Sequence, residues 1–283
     1  MTSQDARRGP APRSGLVTLL TDFGLVDSYV GQMKGVLHSL APELRSVIDL
    51  THGIPAQQVA VAAFQWETAW SYFPQGTVHV AVVDPGVGTA RRILGFEREG
   101  HLFLCPDNGL ASGLLAGARG LVQLDLERLS LPERSFTFHG RDVFAPAAAR
   151  LVQGARIEDL GPALPAGDLP MLLDGFEASE AAGVDSFRLE TRVLFLDRFG
   201  NAITRLPARS LAPDPGAWSV VLPGHCLAVR QTYGQVRSGE PLALTSSFGT
   251  LEVAVRDGDA GRTLGLGPGS ILRLERRGQA DRG

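Results

Sequence analysis

The sequence predicts an α/β domain built on a mainly parallel sheet, followed by a smaller domain of short strands. In the first half, apolar runs that suit buried strands alternate with segments of helical spacing, the pattern of a parallel sheet with crossover helices. In the second half, short β-rich runs are separated by Gly, Pro, Asn and Asp turns. This second pattern is typical of a small antiparallel barrel or sandwich.

The predicted first domain covers residues 16–172. Its predicted strands are apolar runs that end at polar or turn residues, and they cover 16–20, 46–50, 78–83, 93–96, 102–104 and 121–124. Its predicted helices are a segment capped by Asp27 or Ser28 that runs to Leu40, then 56–72, 110–115, and a segment that 136–144 opens and Gly154 ends.

A connection is predicted from residue 161 to about 184, where Pro, Gly, Ala and acidic residues show no lasting periodicity. The predicted second domain covers residues 185–276. Its predicted strands lie at 188–196, 218–222, 226–230, 242–245, 251–256 and 271–274.

The composition is that of an ordinary globular protein. The chain has 283 residues, 44% of them hydrophobic and 20% charged, with a formal net charge of -3. There is no strong basic patch and no apolar run long enough for a bilayer, so we expect neither nucleic acid nor a membrane as a partner. Residues 1–15 lack the apolar centre of a signal peptide, which predicts a flexible tail and a cytoplasmic protein. Residues 277–283 are predicted to be a second tail.

Asp84 follows the apolar run 78–83 and precedes a Pro-Gly-x-Gly turn, so it is predicted to lie at the carboxyl end of a buried strand. Ligand crevices of parallel sheets form at this edge. A charge there needs a partner, and Arg91 and Arg92 follow a few residues on.

Two further polar loops, at Asp22 and at His139, also follow predicted strands of the first domain. Taken singly, each acid is more often a helix cap or half of a structural ion pair than a catalytic group. His52 and His79 could join carboxylates at a metal site, but they lack the spacing of known metal motifs. Because the three loops can meet at one edge of the sheet, together they indicate a site.

The residues also carry a family resemblance. Eight motifs, in order from about residue 16 to 274, resemble the S-adenosyl-L-methionine hydroxide adenosyltransferase family: L-L-T-D-F-G (19–24), D-S-Y-V-G-Q-M-K-G (27–35), T-H-G-I-P (51–55), V-V-D-P-G-V-G-T-A-R-R (82–92), P-D-N-G-L (106–110), F-H-G-R-D-V-F-A-P-A-A-A (138–149), D-R-F-G-N (197–201) and S-S-F-G-T-L-E-V-A-V (246–255). These proteins are S-adenosyl-L-methionine hydrolases, related to fluorinating and chlorinating enzymes that act on the same substrate.

The resemblance implies a reaction and an architecture. Water or hydroxide attacks the ribose 5′ carbon of S-adenosyl-L-methionine, with the (R)-sulfonium epimer favoured, and L-methionine and adenosine are released. S-adenosyl-L-methionine is then the substrate, and neither a cofactor nor a metal is expected. The implied architecture is a Rossmann-like α/β domain followed by a small β-barrel. The implied assembly is a homotrimer, with sites between the first domain of one subunit and the second domain of its neighbour.

The catalytic residues of the family fall on Asp84, Arg91 and His139. A sulfonium is a good leaving group and water a poor nucleophile, so the enzyme must align one water and remove its proton. Asp84 could accept that proton or hold the water. Arg91 would orient the carboxylate but weaken it as a base, and His139 can relay protons near neutral pH. Which of the three is the base stays open.

The resemblance also implies substrate-binding residues. Asp22 matches the acid that grips the ribose hydroxyls, a task that two carboxylate oxygens suit. Asp197 is expected near the methionine ammonium and Asn201 near the purine or the amino-acid end, although Asp-Arg-Phe-Gly-Asn alone indicates only a turn. The remaining expected substrate contacts are Asp84 and, in the second domain, Ser247, Glu252 and the backbone of Val255.

Three other functions stay open: an adenosyl halide synthase, a sensor that binds adenosine or S-adenosyl-L-methionine without turnover, and a metal-dependent hydrolase using Asp84, His139 and Asp107. In the halogenating relatives a tyrosine stands at the position of Asp84, and the charged set is not kept. A halide needs desolvation and no base, and a buried carboxylate would repel it. A sensor has no use for a positioned water. The intact residues therefore favour hydrolysis.

Overall fold

A computed structural model of the chain describes residues 13–129, 134–165, 168 and 188–276. The chain divides into two compact units, residues 1–173 and 174–283. Most of the predicted connection between the domains and most of the two predicted tails lie outside the described residues. The domain limits at 172 and 185 therefore stay predictions.

The first unit contains a six-stranded sheet. Its strands are β1 (Leu16–Thr21), β2 (Ser46–Thr51), β3 (Val78–Val82), β4 (Ile93–Arg98), β5 (His101–Pro106) and β6 (Arg119–Gln123). The strand order is β2-β1-β3-β5-β4-β6. β2, β1, β3 and β5 are parallel, whereas β4 is antiparallel to both of its neighbours. The predicted mainly parallel sheet is confirmed.

Helices of the first unit are α1 (Tyr29–Leu40), α2 (Val59–Ala69), α3 (Leu126–Leu129) and α4 (Ala145–Val152). Val17 and Leu19 of β1 share a core with Met33 of α1 and Ala148 of α4. On the other side of the sheet, the ring of Trp66 in α2 packs edge-on against Phe103 of β5, with 5.5 Å between centroids. Residues alternate between the faces of a strand, so this sheet is buried on both sides.

His79 belongs to that second face. It is fully buried, its Nδ1 lies 2.8 Å from Oγ1 of Thr18, and its Nε2 lies 3.1 Å from Nδ1 of His101. Burial, with a smaller contribution from His101, lowers the pKa of His79 to about 3. His79 is therefore a neutral core histidine, and it does not lie with His52.

Three predicted details were wrong. The second helix begins at Val59 instead of residue 56, because Gln57 takes a left-handed backbone conformation with φ of 64°. Residues 110–114 form consecutive turns instead of the predicted helix over 110–115. Ser28 occupies the N-cap position of α1 but makes no side-chain cap bond, since its hydroxyl accepts a hydrogen bond from Gln32 instead.

The second unit is a closed seven-stranded barrel. Its strands are β7 (Arg188–Leu196), β8 (Ala202–Pro207), β9 (Trp218–Leu222), β10 (His225–Arg230), β11 (Pro241–Thr245), β12 (Thr250–Val255) and β13 (Ile271–Arg276), with a short helix α5 (Ala260–Leu264). They close in the order β10-β11-β12-β8-β7-β13-β9. Every pair is antiparallel except β10 with β11. Of the two predicted alternatives, a barrel or a sandwich, the structure has the barrel. It also contains β8, which was not predicted from the sequence.

The two cysteines differ in environment: Cys105 is buried in β5, whereas Cys226 is exposed on the barrel. Throughout the part of the chain that the structure describes, no helix is both long and apolar enough to span a membrane.

Candidate active site

A cavity of about 260 Å³ opens where the parallel strands of the first unit end. The loops after β1 and β3 and the segment before α4 form its wall. The residues that line it are Asp22, Phe23, Gln57, Val82, Asp84, Pro85, Val87, Thr137, Phe138, His139 and Gly140. The predicted convergence of three polar loops at this edge is what the geometry shows.

Asp84 and Arg91 form a bidentate ion pair at this cavity. Nε of Arg91 donates to Oδ1 and Oδ2 of Asp84 at 2.6 and 2.8 Å, and Nη2 also donates to Oδ2. Both side chains are buried, with 8% of Arg91 and 5% of Asp84 exposed. A two-point contact with a planar guanidinium fixes the plane of the carboxylate as well as its position.

His139 touches the same guanidinium. Its Nδ1 lies 3.0 Å from Nη2 of Arg91. Since arginine can only donate, Nδ1 must accept, and the proton of the neutral ring is then on Nε2. Burial, followed by the positive charge of Arg91, lowers the pKa of His139. His139 is therefore a neutral side chain with its basic nitrogen already engaged.

One donor of Arg91 has no acceptor in the part of the chain that the structure describes. Its Nη1 is buried and lacks a hydrogen-bond partner there. A buried donor of this kind costs free energy unless a water or a ligand accepts from it. Nη1 is thus a buried donor on the side of the guanidinium away from Asp84, whose carboxylate is bonded to Nε and Nη2.

Asp22 lies on the other side of the cavity, directly after β1. Its Oδ2 accepts a hydrogen bond from the backbone N–H of Gln57 at 2.8 Å. Gln57 also lines the cavity, and its left-handed backbone is uncommon for a residue other than glycine. No sequence signal identified Gln57, because neither its residue type nor its spacing indicates that conformation.

A chain of polar side chains supports the Asp22 turn. The hydroxyl of Thr21 lies 2.8 Å from Nδ1 of His52, whose Nε2 lies 3.0 Å from Oδ1 of Asp49. Asp49 also pairs with Lys34 at 2.7 Å. His52 thus has a structural partner set of its own.

Aromatic rings form the apolar side of the cavity. Phe23, Tyr29 and Phe138 contact one another with ring centroids 5.0 to 6.0 Å apart. Gly140 allows this packing, because a Cβ there would lie 3.1 Å from both Sδ of Met33 and the Phe23 ring. Such rings suit contact with an apolar or aromatic ligand group.

In the second unit, Asp197 and Asn201 form one turn. Asp197 Oδ1 accepts from the backbone N–H of Phe199 and of Asn201, both at 2.9 Å, and Oδ2 accepts from the Asn201 side chain at 3.0 Å. Gly200 completes the turn with φ of 82°. The turn chemistry expected from this sequence is therefore present. The carboxylate keeps one lone-pair site for a ligand.

Glu252 is buried in β12 near this turn. The hydroxyl of Tyr233 donates to its Oε1 at 2.5 Å. Burial first, and then the charge of Asp197, raises the pKa of Glu252, while the Tyr233 hydrogen bond acts in the opposite direction. Tyr233 was missed because only barrel closure brings its loop to β12.

Ser247 and Val255 are less closely associated. Ser247 is exposed in the turn between β11 and β12, and Val255 is buried at the end of β12. No described side-chain hydrogen bond joins either residue to Asp197, Asn201 or Glu252.

The residues considered for a metal site have separate partners and do not form one cluster. Asp107 pairs with Arg92, Asp84 pairs with Arg91, and His52 pairs with Asp49. Among the residues that the structure describes, no group of three or more His, Cys, Asp or Glu side chains could hold an ion.

Comparison with known proteins identifies the family. A model of the SAM hydroxide adenosyltransferase N-terminal domain matches residues 17–161, and a model of the C-terminal domain matches residues 191–273. The chain belongs to the SAM hydroxide adenosyltransferase family. The resemblance in the sequence motifs is thereby confirmed.

Relatives that are about 40% identical match over nearly the whole chain. The (R)-S-adenosyl-L-methionine hydrolase of Thermus thermophilus is 42% identical, over 91% of this chain and 98% of the relative. The protein of the same name from Salinispora tropica is 41% identical, over 91% and 97%. A fluorinase from an Actinoplanes species is more distant, at 26% identity over 55% of this chain and 60% of the relative.

A solved structure shares the fold. The crystal structure of an uncharacterized conserved protein from Thermotoga maritima is 31% identical and superposes with a TM-score of 0.82. The similarity covers 92% of this chain and 100% of that one.

Proposed function

We propose that this chain is a hydrolase of S-adenosyl-L-methionine, acting preferentially on the (R)-sulfonium epimer and forming adenosine and L-methionine. The observation that carries the proposal is the contact of Asp84, Arg91 and His139 at one cavity. Family membership and the names of the relatives support the substrate and the epimer. A water oxygen bonds to the ribose 5′ carbon, the bond from that carbon to sulfur breaks, and sulfur keeps the electron pair.

Asp84 is the proposed proton acceptor or water-orienting group. The basic nitrogen of His139 is occupied by Arg91, so taking a proton there would break that contact. Arg91 holds the Asp84 carboxylate in one plane, so that the carboxylate is oriented toward the water. His139 is then left to keep Arg91 in place and to donate from Nε2.

Asp22 is the proposed ligand of the ribose hydroxyls, because its carboxylate lines the same cavity and keeps lone pairs beyond the one bonded to Gln57. The neighbouring rings of Phe23 and Phe138 suit contact with the nucleoside. S-adenosyl-L-methionine is in this proposal the substrate, and no cofactor takes part.

The second unit supplies the proposed remaining contacts. Asp197, with one lone-pair site left, suits the methionine ammonium, and Asn201 suits the purine or the amino-acid end. The other proposed contacts are Ser247, Glu252 and the backbone of Val255.

The proposed assembly is a homotrimer in the cytoplasm, with each site between the first unit of one copy and the second unit of the next. Exposed aromatic rings occur in both units and give such contacts a physical basis. These are Phe136 at 70%, Phe199 at 75% and Phe248 at 37% exposure.

Mass spectrometry of the products formed in oxygen-18 water tests the reaction. The 5′ hydroxyl of adenosine should carry the label, because the water oxygen becomes that hydroxyl. Unlabelled adenosine, or no product, would refute the hydrolysis.

The same assay separates the other functions. In high chloride, formation of 5′-chloro-5′-deoxyadenosine would identify a halide synthase. Nucleoside binding without turnover would identify a sensor, and loss of activity in a chelator would identify a metal-dependent hydrolase. We expect adenosine alone, in chloride and in chelator alike.

A further inference from the structure

The loop 83–92 carries both Asp84 and Arg91, and their ion pair and the Thr89 hydroxyl link its residues internally. Its internal backbone bonds include Val87 N–H to Asp84 O and Thr89 N–H to Gly86 O, both at 3.2 Å. The loop leaves β3 and enters β4, and in the sheet β5 lies between these two strands. It therefore passes over the end of β5, where the segment 107–109 begins.

Asn108 holds the first end of this loop. Its side-chain nitrogen donates to the backbone oxygen of Val83 at 2.8 Å. The last register pair of β3 with β5 is Val80 with Leu104, so this bond extends the link between the two strands to the residue before Asp84. The same side chain accepts from Leu110 N–H at 3.3 Å through Oδ1.

Asp107 holds the second end. Its buried carboxylate accepts from Nε of Arg92 at 2.7 Å and pairs with Nη2 at 2.6 Å. Its backbone N–H donates to the backbone oxygen of Arg92 at 3.0 Å. Arg92 also pairs with Asp168. The residue directly after Arg91 is thus fixed by backbone and side chain together.

We propose that Asp107 and Asn108 are positioning residues for catalysis. The expected effect on kcat rests on the proposed function, whereas the expected effect on the loop does not. They fix Val83 and Arg92, the two residues that flank the segment 84–91, and so set the geometry of the Asp84–Arg91 pair. Asp107 also pairs with the guanidinium of Arg92, whereas the guanidinium of the adjacent Arg91 pairs with Asp84. Misplacement of a reacting group by about 1 Å can cost about 100-fold in rate.

Asn108 could also serve only the local turn, and that role uses a different side-chain atom from the positioning role. Asp-Asn-Gly is turn chemistry, and the turn uses Oδ1 of Asn108 and the left-handed Gly109. Positioning of the loop uses the side-chain nitrogen instead. Asn108→Asp keeps the acceptor and removes the donor, so the two roles predict different results for one variant.

The test compares Asn108→Asp and Asp107→Asn with wild type in kcat and KM for (R)-S-adenosyl-L-methionine, and in amide exchange of Val87 and Thr89. We expect kcat to fall at least about tenfold, with KM within about twofold, and exchange at both amides to rise. Asp125→Asn is the matched control, because Asp125 caps α3 in the same unit and is an acid of the same kind. It should leave kcat and this exchange unchanged.

Wild-type kcat in Asn108→Asp, or unchanged exchange in the loop, would overturn the proposal. A fall in thermal stability alone, with wild-type kcat per folded molecule, would assign the pair to the turn only and overturn it too. If wild type makes no adenosine, the proposed function fails, while amide exchange still tests the positioning by itself.

Discussion

The contact between Nδ1 of His139 and Nη2 of Arg91 determines which nitrogen of the imidazole carries a proton. Without it, the ring could act as the base. With it, Asp84 is the better placed proton acceptor in the proposed reaction. The residue types alone did not distinguish Asp84 from His139 as the base.

Asp84→Asn should lower kcat by about 100-fold or more, because the amide cannot take the proton of the water. Binding of adenosine, measured by calorimetry, should change little, since the change is nearly isosteric. Equal losses in rate and affinity would show that Asp84 serves binding.

Asp22→Asn should give the opposite pattern. Loss of the carboxylate weakens contact with the ribose hydroxyls, so we expect adenosine affinity to fall about tenfold and kcat at saturation to fall less. A collapse of kcat at preserved affinity would contradict the assignment of Asp22 to the ribose.

Arg91→Met should raise the pKa of His139. Two causes act in one direction: the guanidinium that lowers this pKa is removed, and the charge of Asp84, which raises it, remains. Titration of the ring by NMR measures the shift without any need for activity. A pKa unchanged by the substitution would mean that burial alone sets it.

Among the elements, the strands were the best predicted and the segments between them the worst. Buried runs such as 78–82 are apolar throughout apart from His79, and this signal is independent of tertiary contacts. Residues 110–115 also have apolar spacing, but turn bonds such as Leu114 N–H to Ala111 O at 2.7 Å occur there beside a single bond of helical spacing, Leu115 N–H to Ala111 O at 3.2 Å. β8 was not predicted, and it ends at Pro207, a residue type that is uncommon within strands.

The site was predicted to the extent that its residues follow strands or belong to a family motif. Asp22 and Asp84 follow β1 and β3, so their convergence follows from sheet topology. Gln57 was missed because its position depends on a left-handed backbone conformation, and Tyr233 because its contact with Glu252 depends on closure of the barrel. No local pattern of the sequence indicates either feature.

A substitution at Gly88 tests whether the conformation of the loop between β3 and β4 matters for activity. Its φ is 79°, and a Cβ there would lie 2.7 Å from the backbone oxygen of Phe136. Gly88→Ala should therefore lower kcat at least about tenfold and the free energy of unfolding by about 1 to 3 kcal/mol.

Gly117→Ala is the matched control. Gly117 has φ of 84°, but a Cβ at this position would meet open space, so the substitution measures the backbone cost alone. It should lower stability less than Gly88→Ala and leave kcat unchanged. Equal effects of both substitutions on kcat would exclude a specific role for the close approach at Gly88.

At the scale of the whole molecule, the two-unit organisation follows from a change in pattern along the chain, whereas assembly has no signature in a single sequence. We predict a homotrimer, so the molecular mass measured by sedimentation equilibrium should be three times the 30.1 kDa of one chain. A monomer at micromolar concentration would contradict it.

The proposed sharing of sites between subunits has a sharper test. Asp84→Ala and Glu252→Ala, each inactive alone under the assay conditions, should recover about a quarter of the wild-type activity when co-expressed, because some sites then combine two intact units. Asp84→Ala with His139→Ala, both altered in the first unit, should recover none. No recovery in the first mixture despite mixed trimers would place each site within one chain.

Lys34 is the only lysine of the chain, and through Asp49 and His52 it is joined to Thr21, the residue before Asp22. An amine-directed dye would therefore attach to one side chain only, apart from the chain's own amino terminus, and that side chain is linked by polar contacts to the loop of Asp22. A label at that position offers a fluorescence signal for ligand occupancy without engineering a new attachment point. Lys34→Arg, which keeps the charge and loses the reactive amine, would show how much of the signal originates there.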